Sequence, residues 1–213
     1  MTTHVTVTDY SKTIKGKPVL RGVNAAFEHG RIYGIVGPNG SGKTMLLRAI
    51  CGFIRPDRGH VEINGQRVEF NRRLPEPVGV VIENPGFVNS ETAMQNLRYL
   101  AGINHAYDGR ETQRLLRVFG LEEHRDEKIG SYSLGMRQKL GVIQALMEHQ
   151  PLVLLDEPTN GLDERSVEVF LEEMLRQREL GRTIIIASHH SDELNRIADV
   201  LYAMGDGELR PKA

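Results

Sequence analysis

The sequence predicts an α/β fold: a parallel sheet covered on both faces, an antiparallel β portion ahead of it and a helical insertion within it. Three observations carry this. In the last third, apolar runs alternate with helical stretches, "PLVLLD", a helix, "TIIIA", another helix, then "VLYAM", as in a sheet buried on both sides. The first third reads as strands joined by tight turns. From about Glu83 to Ser131 helical spacing dominates and no strong strand lies between. One domain over residues 1–213 is expected, its core near 1–82 and 132–213 and its helical subdomain near 83–131.

"THVTV" alternates as a half-buried strand, and "VNAAF" follows a turn expected at Arg21-Gly22. "RIYGIV" (Arg31 to Val36) is an apolar strand between Gly30 and Gly37. "HVEI" and "QRVEF" flank Asn64-Gly65, a two-residue hairpin signal. In the insertion, Met94, Leu97 and Leu100 mark one helix. Asp108 with Glu111 has the form of a capping box for a second, which carries Leu115, Leu116 and Phe119. A helix after Ser133 buries Leu140, Ile143, Leu146 and Met147, and a later one buries Val167, Phe170, Leu171 and Met174. Gly205-Asp206-Gly207 turns the chain before "ELR".

Composition narrows the function classes. Hydrophobic content is 39%, charged content 26% and formal net charge −1, which gives no support to bulk binding of nucleic acid or anionic membrane. The single cysteine, Cys51, excludes an internal disulfide framework and reads as a small buried residue. Apolar runs such as Val80-Val81-Ile82 are too short to span a bilayer, and no signal peptide opens the chain. A soluble cytoplasmic protein is expected, with any membrane role resting on a partner. The charge run "EEHRDEK" (Glu122 to Lys128) reads as a solvated surface.

"GPNGSGKT" (Gly37, Pro38, Asn39, Gly40, Ser41, Gly42, Lys43, Thr44) fits G-x-x-x-x-G-K-[ST] between a predicted strand and a predicted helix, "TMLLRAICGF". Its glycines let successive N–H groups face an anion, and the helix start adds partial positive charge. Lys43 can reach β- and γ-phosphates, and the Thr44 hydroxyl can ligate Mg²⁺. "LVLLDEP" (Leu152 to Pro158) ends an apolar strand in two acids, at the strand end where ligands bind in such sheets. Asp156 suits a metal; Glu157 suits polarising an attacking water. "IIIASHH" is a third strand ending near the same edge. There His189 can contact the γ-phosphate and the glutamate, while His190 reads as an exposed neighbour.

"SYSLGMRQKLG" (Ser131 to Gly141) sets a polar turn ahead of a helix, with Ser133 as N-cap and Gly135 nearby. It is a second anion-binding helix start, or else an ordinary capped helix. The phosphate loop already surrounds most of a triphosphate, so a ligand for the second turn is most simply supplied by another copy of the chain, head to tail about a two-fold axis.

Over essentially its whole length the chain resembles the nucleotide-binding subunit of an ATP-binding cassette (ABC) transporter. "YSLGM" stands where that family has LSGGQ; Ser133 and Gly135 match, while Tyr132, Leu134 and Met136 depart. "GPNGSGKT" matches its Walker A, "LVLLDEP" its Walker B with Glu157 catalytic, "NGLD" (Asn160 to Asp163) its D-loop and His189 its switch histidine. The resemblance implies a P-loop NTPase (RecA-like) core, ATP and Mg²⁺ as cofactors, and a second nucleotide-binding subunit closing on ATP, most simply in a homodimer. It also implies transmembrane permease subunits as partners, on the cytoplasmic face of the membrane. Two features depart. Glu83 of "VVIENPGF" occupies the place of a usual glutamine, where a carboxylate adds charge beside Mg²⁺. Ile14 falls where the family often stacks an aromatic on adenine, with Tyr10 four residues earlier. "IENPGF" and "YSLGMRQKLG" are similar to the bacitracin-resistance and lantibiotic-immunity branch of ABC exporters. The rival, a non-transport ABC ATPase acting on nucleic acid or ribosomes, typically has a long coiled-coil insertion or two cassettes in one chain, and neither is present. No N-K-x-D guanine motif appears.

Overall fold

The computed structural model describes residues 2–83, 86–104 and 107–212. Its antiparallel part is built from β1 (Thr3–Ile14), β2 (Lys17–Glu28), β4 (Arg58–Ile63) and β5 (Gln66–Arg67), in the order β2-β1-β4-β5. The second sheet combines β3 (Ile32–Val36), β6 (Val78–Val81), β7 (Leu152–Asp156), β8 (Thr183–Ser188), β9 (Val200–Gly205) and β10 (Glu208–Pro211), in the order β10-β9-β3-β8-β7-β6. Strands β9, β3, β8, β7 and β6 run parallel; β10 returns antiparallel beside β9. The helices are α1 (Lys43–Ile50), α2 (Ala93–Asn104), α3 (Gly109–Val118), α4 (Leu134–Leu146), α5 (Glu164–Glu179) and α6 (Ser191–Ile197), with a 3₁₀ turn at Ile129–Ser131.

Side-chain alternation divides the core. On β7, Val153 and Leu155 join a cluster with α2, α3, α4 and α5, whereas Leu152 and Leu154 face one made with α1, β1 and β2. Both faces of β7 are thus buried, and all five of its residues are buried, as a central parallel strand requires.

The expected hairpin at Asn64-Gly65 forms, with φ values of 50° and 73°, the left-handed pair a type I′ turn needs. The expected turn at Arg21-Gly22 does not. Gly22 lies inside β2, at φ 56°, where the pairing shifts between Tyr10↔Val23 and Lys12↔Leu20. Its glycine signal marks a bulge, and the chain reverses instead at Lys15-Gly16 (φ 49° and 77°). "QRVEF" also shortens: only Gln66 and Arg67 form β5, because the chain then turns away and Asn71 N–H bonds the Gly52 carbonyl at 3.0 Å. Helix α1 stops at Ile50 and not at Phe53. There the N–H of Phe53 bonds Arg48 O and that of Gly52 bonds Ala49 O, a Schellman close with Gly52 left-handed at φ 67°. Asp108 caps α3 through the amides of Arg110 and Glu111. The other half of the capping box is absent, because the Glu111 carboxylate accepts from Arg114 instead. The run Glu122 to Lys128 is mostly exposed, yet its carbonyls at Arg125 and Glu127 accept from Met94 and Ala93 at the start of α2. Cys51 is buried, which pushes its thiol up to about 12.

Candidate active site

β3, β7 and β8 deliver the end of one strand each to a common edge. After β3 the chain runs through Gly37 to Gly42, and α1 starts at Lys43 with Gly42 (φ 113°) as an N-cap that offers no side chain to the helix amides. Gly40 is also left-handed, at φ 79°. Lys43 is 5% exposed, so its ammonium must be paired; Nζ donates to Gly37 O at 2.7 Å and Pro38 O at 3.3 Å. It also stands 3.3 Å from Glu157 Oε1.

Thr44 Oγ1 donates to Asp156 Oδ2 at 2.7 Å, joining the start of α1 to the end of β7. Burial, the largest cause, raises the Asp156 carboxyl above its usual range; the Thr44 hydrogen bond opposes it, and the nearby Glu157 charge adds to it. At Glu157 the backbone turns left-handed (φ 47°), and its N–H bonds Ala187 O of β8 at 2.8 Å. Glu157 Oε2 lies 2.8 Å from His189 Nδ1 and accepts longer bonds, both 3.3 Å, from Ser188 Oγ and the His189 amide.

Asp156 Oδ1 and Ser41 Oγ are buried without a hydrogen-bond partner, and buried Glu157 Oε1 has only the Lys43 ammonium. Two orphaned polar atoms around a glycine-rich helix start are costly in a finished core, and they fit a site that holds a phosphate chain and a cation. Among the described residues no three His, Cys, Asp or Glu side chains gather into a metal cage of their own. Mg²⁺ takes one or two protein oxygens and completes its shell with phosphate and water. Thr44 Oγ1 and Asp156, joined by their hydrogen bond, are protein oxygens that could hold it.

A cavity of about 410 Å³ opens over this edge, lined by Asn39, Gly40, Gly42, Lys43, Thr44, Glu83 and Glu157, with Lys17 and Val19 of β2. Glu83 (φ 59°) is exposed on its wall, and its Oε1 lies 2.7 Å from the Arg48 guanidinium of α1. Asn84 and Pro85 of "IENPGF" lie outside the described residues. Tyr10 cannot present a face to a base: it is 2% exposed, and its hydroxyl donates to Ile54 O at 2.8 Å. Ile14, 37% exposed at the end of β1, does not line the cavity.

Ser133, Gly135 and Asp163 are not brought into this cavity. Ser133 is exposed and caps α4, its Oγ accepting from Met136 N at 3.2 Å. Asp163 is exposed and caps α5, accepting from Ser166 N at 2.7 Å. Gly135 lies against Gly161 so closely that a Cβ would stand 2.8 Å from its carbonyl oxygen. His190 is exposed, its ring 3.9 Å from that of His189. Sequence reasoning missed Lys17, Ser188 and Gln138. A strand-end serine beside a histidine was a readable signal for Ser188, and nothing in the residue pattern marked the other two.

A phosphate loop opening a helix beside a second strand that ends in Asp-Glu defines a P-loop NTPase. The family model described as ABC transporter matches residues 20–160. The chain is 38% identical, over 96% of its length and 94% of the relative's, to the uncharacterized ABC transporter ATP-binding protein YybJ of Bacillus subtilis (strain 168). It is 34% identical to the bacitracin transport ATP-binding protein BcrA of Bacillus licheniformis, over 98% of this chain and 69% of that protein. A solved ATP binding subunit of an ABC transporter superposes with a TM-score of 0.86 at 26% identity, covering 99% of this chain and 90% of that one. The fold is also that of a dimeric ATP-binding cassette in a post-hydrolysis state bound to ADP and Pi (TM-score 0.87, 24% identity, 98% of this chain and 97% of that one). This chain belongs to the ABC transporter family, as an ATP-binding and ATP-hydrolysing subunit. Among the described residues no helix is long and apolar enough to cross a membrane.

Proposed function

We propose that two copies of this chain hydrolyse ATP at their shared face and so drive a separate membrane subunit of an exporter. The observation that carries this is the convergence of Lys43, Thr44, Asp156, Glu157 and His189 on one edge, with buried oxygens left unpartnered there.

The loop amides from Gly37 to Thr44 receive the phosphates, and Lys43 exchanges its bonds to Gly37 O and Pro38 O for phosphate oxygens. Thr44 and Asp156 would hold Mg²⁺, which would supply positive charge to neutralise the phosphates. Glu157 accepts a proton from the attacking water as its oxygen bonds the γ-phosphorus and the bond to the ADP oxygen breaks. His189 holds Glu157 Oε2 in place and meets the γ-phosphate. Ser133, Gly135 and Asp163 complete the site held by the other chain, which accounts for their absence from this chain's own cavity.

Residues 83–131 act as a helical subdomain on which the membrane subunit docks. Val88 (50% exposed), Tyr99 (60%) and Ile103 (73%) give that stretch an apolar surface. The relatives named for bacitracin transport support export, and docking puts the protein peripherally on the cytoplasmic face. Light scattering of the hydrolysis-deficient Glu157→Gln chain with saturating MgATP tests the scheme. A doubled mass is expected; a strict monomer, alone and in its native membrane complex, overturns it. Affinity purification from solubilised membranes is expected to bring down a polytopic membrane protein rather than ribosomes.

A further inference from the structure

We infer that Gln138 is a positioning residue that ties the turn at the start of α4 to this chain's own general base. The inference rests on the assignment of Glu157 as that base.

Gln138 is 6% exposed on α4, and its Nε2 donates to the backbone carbonyl of Glu157 at 3.1 Å. The Asn160 amide donates to the same oxygen at 3.2 Å, and the Glu157 N–H bonds Ala187 O at 2.8 Å. Glutamate does not hold φ 47° by itself; such a conformation persists only where its surroundings impose it. Here Ala187 fixes the peptide on its amino side and Gln138 and Asn160 fix it on its carbonyl side. This sets the direction in which the Glu157 side chain leaves the strand.

One turn earlier on α4, Gly135 rests on the Gly161 carbonyl with no room for a Cβ (2.8 Å). Leu134 covers Gly161 from the same side, its Cδ2 3.1 Å from where a Gly161 Cβ would stand. The start of α4 therefore touches the segment 157–161 at both of its ends. A shift of Ser133 and Gly135 against the other chain's nucleotide moves Gln138 with the helix, and through it the Glu157 peptide. Each chain in this way reports the occupancy of one site to the base of the other.

The test uses the full chain with Gln138→Met, which keeps most of the volume and removes the donor, and Gln138→Glu, which keeps the shape and replaces the donor nitrogen by oxygen. Losing one such hydrogen bond should lower kcat about tenfold, with KM changed less than about twofold. The Hill coefficient for ATP should fall toward one, and the melting temperature should hold within about 3 °C. In a Glu157→Gln background, Gln138→Met should cause no further loss. Parental kcat and Hill coefficient in both variants, with Glu157→Gln inactive, overturn the role of Gln138 alone. Loss of kcat in step with melting temperature in both variants reduces Gln138 to packing and overturns it too. Hydrolysis surviving Glu157→Gln removes the base assignment beneath it.

Discussion

His189 Nδ1 and Glu157 Oε2 are 2.8 Å apart, and the other oxygen of the same carboxylate faces Lys43 Nζ at 3.3 Å. The carboxylate thus spans the gap between the end of β8 and the phosphate loop, held by an imidazole on one side and an ammonium on the other. If the carboxylate is replaced by an amide, Lys43 still has Gly37 O and Pro38 O as acceptors, so the phosphate-binding ammonium stays paired. Glu157→Gln should therefore lower ATP turnover by roughly two to four orders of magnitude, the range for a general base, while ATP binding stays within a few-fold. Steady-state hydrolysis and equilibrium binding of a fluorescent ATP analogue check the two halves separately. Near-parental turnover would remove Glu157 from the chemistry.

Asp156 gives a prediction about pH. Its carboxyl is raised, first by burial, so the unfolded chain releases this proton at lower pH than the native one. Folding carries a penalty that is full above the native pKa and disappears below the unfolded one. Asp156→Asn removes the penalty and keeps an acceptor for Thr44 Oγ1. The nucleotide-free variant should melt higher than the parent at pH 7, with the gain shrinking as pH falls through the carboxylate range. Its hydrolysis should be lost. A melting temperature below the parent's at pH 7 would show that the carboxylate stabilises the empty site.

Much of this edge is legible in the residues because its chemistry is local. The loop needs glycines where φ is positive, and Gly40 and Gly42 stand there. An apolar strand must end before charge begins, and Asp156 and Glu157 mark that end. Contacts made across the sheet order left weaker marks. Gly22 carries the same glycine signal whether it sits in a turn or in a bulge, and only the pairing of β1 with β2 decides. Whether Tyr10, four residues before Ile14, is open to a base is not readable, because alternation fixes which residues share a face but not which face is buried. Glu111 satisfied the spacing of a capping box, yet an arginine one turn later offered its carboxylate a stronger partner. Gln138 lies on a helix face otherwise buried, and no periodicity says what its amide will meet.

Glu83 and Arg48 form an ion pair at 2.7 Å, with side chains 60% and 33% exposed. Such a pair is worth about 0–1 kcal/mol, so a divalent cation in the adjoining cavity can compete for the carboxylate. Arg48→Ala frees Glu83, and the Mg²⁺ concentration for half-maximal ATP binding should fall about two- to fivefold, while Glu83→Gln should raise it similarly, as a few tenths to one kcal/mol of charge interaction dictates. A Mg²⁺ titration of analogue fluorescence reads this without hydrolysis. Identical midpoints in both variants would place Glu83 outside the metal site.

Arg114 of α3 joins the helical insertion to α5 of the core. It donates to Glu111 from Nε and Nη2 (both 2.8 Å) and to Glu173 from Nη1 at 3.0 Å and Nη2 at 2.5 Å. Glu173 is 4% exposed and is further held by Arg176 and by a very short bond from Gln177. Here the guanidinium separates two carboxylates that face each other, so removing it costs more than the attraction lost. Arg114→Met should destabilise the fold by about 3 kcal/mol, the scale for stripping one partner from a buried pair, or about 6–12 °C at this chain length. The Glu111 carboxyl is lowered, chiefly by the Arg114 hydrogen bond. Its share of the stability is present above the unfolded carboxylate pKa and is lost as pH falls through the native one. The deficit of Arg114→Met against the parent should accordingly narrow in acid. Adding Glu173→Met should recover part of it at pH 7, since Glu111 then has no second carboxylate facing it and keeps Arg176 at 3.7 Å. If Arg114→Met melts with the parent at pH 7, water already screens both carboxylates, and the link between insertion and core rests on the apolar cluster that holds Leu115, Leu116, Phe170 and Met174.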